Sequence, residues 1–197
     1  MYSYLPLAPA TPPKLTRPAA GFTLVELLVL AAIISTLFSQ ALPSMGGLLK
    51  SQRAISVSNT FLASLHLTRG EAIKRNGRVV MCKSADGGQC TTTGGWEQGW
   101  LMFHDRNNNA WHDSDEPVIQ QQVGTASGLR LSGNTPVASY VSYAPSGRAR
   151  LVSGAFQAGT FTICPAGRAS GDDAVRKIIL GGPGRPRLLH GSVADCS

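Results

Sequence analysis

The sequence predicts an α+β fold: one long, bent N-terminal helix packed on an antiparallel β-sheet domain. Three observations point there. From Phe22 to Leu42 the chain is predominantly apolar and carries one charge, Glu26. From Lys50 to Arg75 apolar and polar residues recur at helical spacing. Beyond Gly77 the pattern changes to short β-rich runs separated by turn residues.

The first element is read as a transmembrane helix. Twenty-one residues from Phe22 to Leu42 span about 30 Å at ~1.5 Å per residue, the thickness of a bilayer core. Glu26 is costly in such a segment, and an intramembrane acid implies a partner. Pro43, Ser44, Gly46 and Gly47 are expected to kink the helix. Past them, Ile55, Leu62, Leu65, Ala72 and Ile73 fall near one face, and Gln52, Arg53, Asn59, Arg69 and Lys74 are polar. This amphipathic half should pack on the sheet. It should end at Asn76-Gly77, with Lys74 and Arg75 in its last turn.

Residues 1–21 contain Lys14, Arg17, five prolines and no acid, a composition that forms neither a helix nor the apolar core of a secretory signal. They read as a leader whose cations keep the N-terminus in the cytoplasm and send everything after Lys50 across the membrane. The domains expected are therefore a leader at 1–21, a transmembrane or filament-core helix at 22–49 and a periplasmic domain at 50–197.

The strand candidates are Arg78–Lys83, Trp96–Phe103, Val118–Val123, Leu129–Leu131, Val137–Tyr143, Thr160–Cys164, Val175–Leu180 and Arg187–Leu189. Cys82, Cys90, Cys164 and Cys196 all fall in the exported part, so disulfides are expected. Three pairings are open; Cys82 with Cys90 would close a hairpin and leave Cys164 with Cys196 to staple the tail. The spacing does not suit structural zinc, and no cofactor is expected.

Asp105, Asn107, Asn109, Asp113 and Glu116 match the oxygen-bearing places of a calcium loop. Ala110 stands where such a loop has glycine, and the flanks read as strands. A polar hairpin loop whose side chains cap its own backbone is the preferred reading, with calcium the weaker candidate. His104 and His112 read as exposed loop residues.

Charge points to an acidic partner. Beyond residue 49 there are 16 basic and 10 acidic residues, a net +6, in one domain large enough for a single core. The tail concentrates it: after the strand containing Arg176 and Lys177, Gly181–Gly184 presents Arg185-Pro186-Arg187. Two arginines two residues apart on extended chain share one side and can straddle phosphates. Gly147-Arg148-Ala149-Arg150 repeats the Gly-Arg-x-Arg pattern. No aromatic cluster flanks Arg185 and Arg187 and no helix is offered to a major groove, so binding to double-stranded DNA would be phosphate-led and sequence-independent.

The run Gly21-Phe22-Thr23-Leu24-Val25-Glu26-Leu27-Leu28 resembles the processing signal of type IV pilins and pseudopilins. That resemblance implies cleavage by prepilin peptidase between Gly21 and Phe22, methylation of Phe22, and Glu26 facing a neighbour's Phe22 amino group in a filament. It also implies other major and minor pilins as partners. The localisation implied is the inner membrane, single-pass, with a periplasmic domain incorporated into a pilus or pseudopilus. The domain resembles the GspH/FimT family, and Gly184, Arg185 and Arg187 match the Gly-Arg-x-Arg tail of its FimT members, which bind DNA in natural transformation. The function expected is a DNA-binding minor pilin contributing to DNA uptake. The alternative is a structural minor pseudopilin of pilus assembly or type II secretion. No nucleophile elbow, metal-protease helix or P-loop is present, which argues against an enzyme.

Overall fold

The computed structural model describes residues 21–124, 128–167 and 175–196, without the side chains of 38–48. The expected leader lies outside them except for Gly21. Helix α1 runs from Leu24 to Arg75, and the chain divides into two compact units, Met1–Pro43 and Ser44–Ser197. The division falls at the Pro-Ser-Gly-Gly cluster.

In the first unit, Thr23 starts the helix: its Oγ1 accepts the Glu26 amide at 3.3 Å and its carbonyl accepts the Leu27 amide at 3.2 Å. Phe22 to Leu37 are exposed throughout.

The expectation of a membrane span is overturned. Among the described residues no helix is long and apolar enough to cross a membrane. The transmembrane assignment of 22–49, the inner membrane as a partner, and single-pass inner-membrane localisation are corrected accordingly. The α+β class, with helix on antiparallel sheet, stands without them.

In the second unit α1 buries Ala54, Val57, Phe61, Leu65, Thr68 and Ala72, a stripe at three- and four-residue spacing. The helix ends as a Schellman cap. Asn76 adopts φ 47°, its amide bonds the Ile73 carbonyl, and the Gly77 amide bonds that of Ala72, both at 3.2 Å.

Among the described residues eight strands follow: β1 Arg78–Lys83, β2 Gly99–Asp105, β3 Val118–Val123, β4 Leu129–Gly133, β5 Tyr140–Tyr143, β6 Gly159–Pro165, β7 Arg176–Leu180 and β8 Pro186–His190. They form two antiparallel sheets, ordered β3-β2-β1-β5 and β4-β6-β7-β8. Two expected strands start late. Trp96–Gln98 is a 3-10 turn, after which Gly99 takes φ 123° with no room for a side chain; Val137 closes a turn onto Asn134 before β5 begins.

Phe61 sits where helix and sheets converge. Its ring is 5.1 Å from Trp100 on β2, 4.8 Å from Phe161 on β6 and 5.3 Å from Trp96, all edge-on. Glu97 also bridges the layers, its Oε2 accepting the Leu131 amide of β4 at 2.8 Å. Disulfides join Cys82 to Cys90 and Cys164 to Cys196. The second closes a separation of 32 residues, for which loop closure predicts about 4 kcal/mol of stabilisation.

Candidate functional site: an arginine cleft

Three segments meet at one end of the second unit. Helix α1 contributes His66 and Arg69; the turn before Ala149 contributes Gly147 and Arg148; the β7–β8 turn contributes Gly181 to Arg187. Local chemistry fixes each. Arg69 Nε donates to the Gly147 carbonyl at 2.8 Å, tying helix to turn. The Gly147 amide bonds Ala144, and the Gly184 amide bonds Gly181. Both glycines take positive φ, 71° and 77°, the region that favours glycine.

Gly184 explains how the two Gly-Arg-x-Arg motifs come together. A Cβ there would lie 2.5 Å from the Gly147 carbonyl oxygen and 3.1 Å from the Arg148 Cα. The backbones therefore touch. Pro186 is buried between exposed Arg185 and Arg187, and Arg148 is exposed beside them, so period-two alternation sends Arg185 and Arg187 to the open side. With His66, Arg69, Gly181 and Pro183 they line a cleft of about 540 Å³.

The other predicted basic residues are occupied. Arg150 donates to the Gly154 carbonyl at 2.6 Å and lies 4.8 Å over the Phe156 ring. Arg176 is buried and donates to Val175. Lys177 pairs with Asp195 at 2.8 Å, and this bond holds the Asp195 carboxyl down to about 2. Arg176 and Lys177 pair with His190 and Leu189, at the far end of the hairpin from Pro186. Buried Lys83 is also internal, bonding the Thr92 and Gly94 carbonyls.

His66 and Arg69 were not singled out as site residues. Their signal lay only in contact with turns distant in sequence. Phe156 is a further addition: 57% exposed, it lines a second hollow with Arg148, Gly182 and Pro183. An aromatic ring therefore stands beside Arg148.

The Asp105–Glu116 loop spends its oxygens on itself. Asp105 accepts the Asn109 and Ala110 amides at 3.1 and 3.0 Å, Asn107 and Asn109 accept the amides two residues on, and Glu116 accepts those of Arg106 and Asp113. Asp113 Oδ2 takes the side-chain amides of Asn107 and Asn109. Burial pushes the Asp105 carboxyl up, against the pull of those amides. Ala110 adopts φ 60°, the turn a calcium loop reserves for glycine. Among the described residues no group of three His, Cys, Asp or Glu side chains is placed to hold a metal. The histidines are not free loop residues: His104 belongs to β2, and half-buried His112 contacts the Gly88 and Glu116 carbonyls.

Residues 57–184 match the family described as Type II transport protein GspH, and the chain belongs to that family. Membership of that family carries a non-enzymatic role. The fold is similar to the type IV minor pilin FimU of Pseudomonas aeruginosa in two crystal forms. One has TM-score 0.50 and 17% identity over 71% of this chain and 88% of that one. The other has TM-score 0.50 and 18% identity over 68% and 90%. The minor pseudopilin EpsH of the Vibrio cholerae type 2 secretion system aligns at TM-score 0.48 and 17% identity, over 70% and 97%. No curated protein matches the sequence.

Proposed function

We propose that this chain is a structural minor pseudopilin, built into a filament through the first part of α1. The observation that carries this reading is the uncovered apolar surface from Phe22 to Leu37, with Leu24 74%, Leu28 62% and Leu37 64% exposed. A contiguous surface of this kind marks an interaction site. In this reading helices of neighbouring subunits cover it, as the resemblance of the Gly21–Leu28 run to pilin processing signals implies. Gly21 and Phe22 precede the first helical turn and are exposed, which suits cleavage there by prepilin peptidase. Glu26 is the only charge on this surface, and its partner in our reading is the amino group of a neighbour's Phe22. Removing one member of a desolvated charge pair costs about 3–5 kcal/mol. Glu26→Ala should therefore reduce recovery in sheared filaments at least about tenfold while total cellular chain stays constant. Equal recovery of Glu26→Ala and parent would defeat the assembly role.

A second reading rests on a separate observation, the meeting of the two Gly-Arg-x-Arg turns. It assigns the arginine cleft to nucleic-acid phosphates, as the resemblance to FimT members suggests. Arg148, Arg185 and Arg187 are exposed; Arg69 supports their turn. Each phosphate contact contributes about 0.9 to the slope of log affinity against log salt. Arg185→Gln with Arg187→Gln should lower that slope by about 2 and weaken duplex binding at least tenfold at low salt. A titration in which parent and double variant bind alike removes the cleft from this role and leaves the structural reading intact.

A further inference from the structure

We infer that the free edge of β3 is a self-pairing surface, on which a second copy of this chain adds its own β3 antiparallel, centred on Gln121. This goes beyond the filament reading and uses none of its contacts.

The edge is open by construction. β3 is the outermost strand of its sheet. The Gly124 amide bonds the Gln98 carbonyl at 3.1 Å. Alternation then directs the backbone groups of Gln122 and Gln120 at β2 and those of Gln121 and Val123 outward. The register shift between Met102 and Phe103 leaves Ile119 as the extra residue of β3, so the regular free edge runs from Gln120 to Val123. Val118 and Val123 are 40% and 63% exposed.

The other outer strands carry charge, proline or covering segments, which β3 lacks. At β5, the Arg150 amide bonds the Ser142 carbonyl and Gln157 Oε1 takes the Ser142 amide. β4 carries exposed Arg130; β8 carries Pro186 and exposed Arg187. Charge, proline and covering segments are the usual means of keeping an edge from pairing. Val118-Ile119-Gln120-Gln121-Gln122-Val123 has neither charge nor proline.

The occupant follows from register and side-chain chemistry. A two-fold axis through Gln121 sets the outward-facing backbone of Gln121 against its equivalent and Gln120 opposite Gln122. Amide meets amide, and no like charges are opposed. Gln120 supplies an independent reason. Its Oε1 is buried without a hydrogen-bond partner, in a groove between β3 and Thr60, Ala63, Ser64 and Leu67 of α1. The side-chain amide of Gln122 now donates to the Val123 carbonyl of its own strand at 3.2 Å. In the paired edge, the second copy's Gln122 amide faces the orphaned Gln120 oxygen, and the Val123 carbonyl turns to strand pairing.

All four cysteines are in disulfides, so one added cysteine reads the interface directly. Opposed residues in such a pair have Cα atoms ~5.5 Å apart, within disulfide range. Full chain carrying Gln121→Cys, oxidised mildly in dilute detergent, should yield about tenfold more reducible dimer than chain carrying Ser146→Cys at an exposed turn. Adding Val123→Pro, which removes an outward N–H and no β2 bond, should abolish that excess. Mixed Gln120→Cys and Gln122→Cys chains should crosslink to each other more than either does alone, an independent reading should Gln121→Cys fold poorly. Equal crosslinking at Gln121 and Ser146, or an excess that survives Val123→Pro, would overturn the proposal; the first would mark association through the apolar helix instead.

Discussion

Phe61→Ala is expected to lower the free energy of unfolding by about 4 kcal/mol, the upper part of the range for a large aromatic removed from a closed core. The ring is fully buried and stands edge-on to Trp96, Trp100 and Phe161. Those partners belong to a 3-10 turn, to one sheet and to the other, so no single element can move in to fill the space. Trp96 is further held by the bond from its Nε1 to the Val137 carbonyl at 3.2 Å. Relaxation should be small and the cavity cost nearly complete. Denaturant unfolding of the full chain measures it as a fall in midpoint at unchanged slope. Phe61→Leu, which keeps most of the volume, should lose less than about half as much. A loss under about 1 kcal/mol for Phe61→Ala would show that helix and sheets do not share one core at this point.

What could be read in advance follows from the range of the forces involved. β1 and β3 run as periodicity places them, Arg78–Lys83 and Val118–Val123, because alternation and turn residues act over a few positions. The Asn76-Gly77 stop was legible for the same reason: the cap is made by amides within one turn. Strand order was not legible. β5 beside β1, and β4 beside β6, depend on packing around Phe61, whose position on the buried helix face escaped the periodicity reading. Trp96–Gln98 looked like the start of a strand by composition, yet Gly99 turns the chain and Glu97 is drawn to the Leu131 amide. The apolar run from Phe22 to Leu42 invited a membrane reading; among the described residues no helix is both long and apolar enough to cross one.

The same division holds for the arginine cleft. Both Gly-Arg-x-Arg patterns were visible, but their contact joins positions 147 and 184, which no local rule connects. Neither did any local rule indicate that Arg150, Arg176 and Lys177 would be taken up by Phe156, Val175 and Asp195. A count of positive charge therefore overstated the free cationic surface. Arg148, Arg185 and Arg187 are the members of the predicted set that combine exposure with a shared location.

That shared location should depend on one hydrogen atom. Gly184→Ala is expected to destabilise the chain by about 3 kcal/mol, of which left-handed strain supplies ~1–2 kcal/mol and overpacking the remainder. Gly184 has φ 77°, and the added methyl would lie 2.5 Å from the Gly147 oxygen and 2.9 Å from the Ala149 nitrogen. Both are backbone atoms, so no rotamer change relieves the contact; the turns must part. Arg148 would then move away from Arg185 and Arg187, and the Arg69 bond to Gly147 would weaken with it. Unfolding measures the energy, and amide chemical shifts at 147–149 report the separation. Gly182→Ala is the matched control: it lies two residues away in the same turn, outside the positive-φ region, with nothing within 4 Å of its added carbon, and should change stability by less than ~0.5 kcal/mol. Equal effects at the two glycines would mean that the turns do not bear on each other, and the cleft would lose the contact that assembles it. A selective loss at Gly184 would show that the glycine preceding the arginines serves the packing of two turns, independently of any ligand the arginines hold.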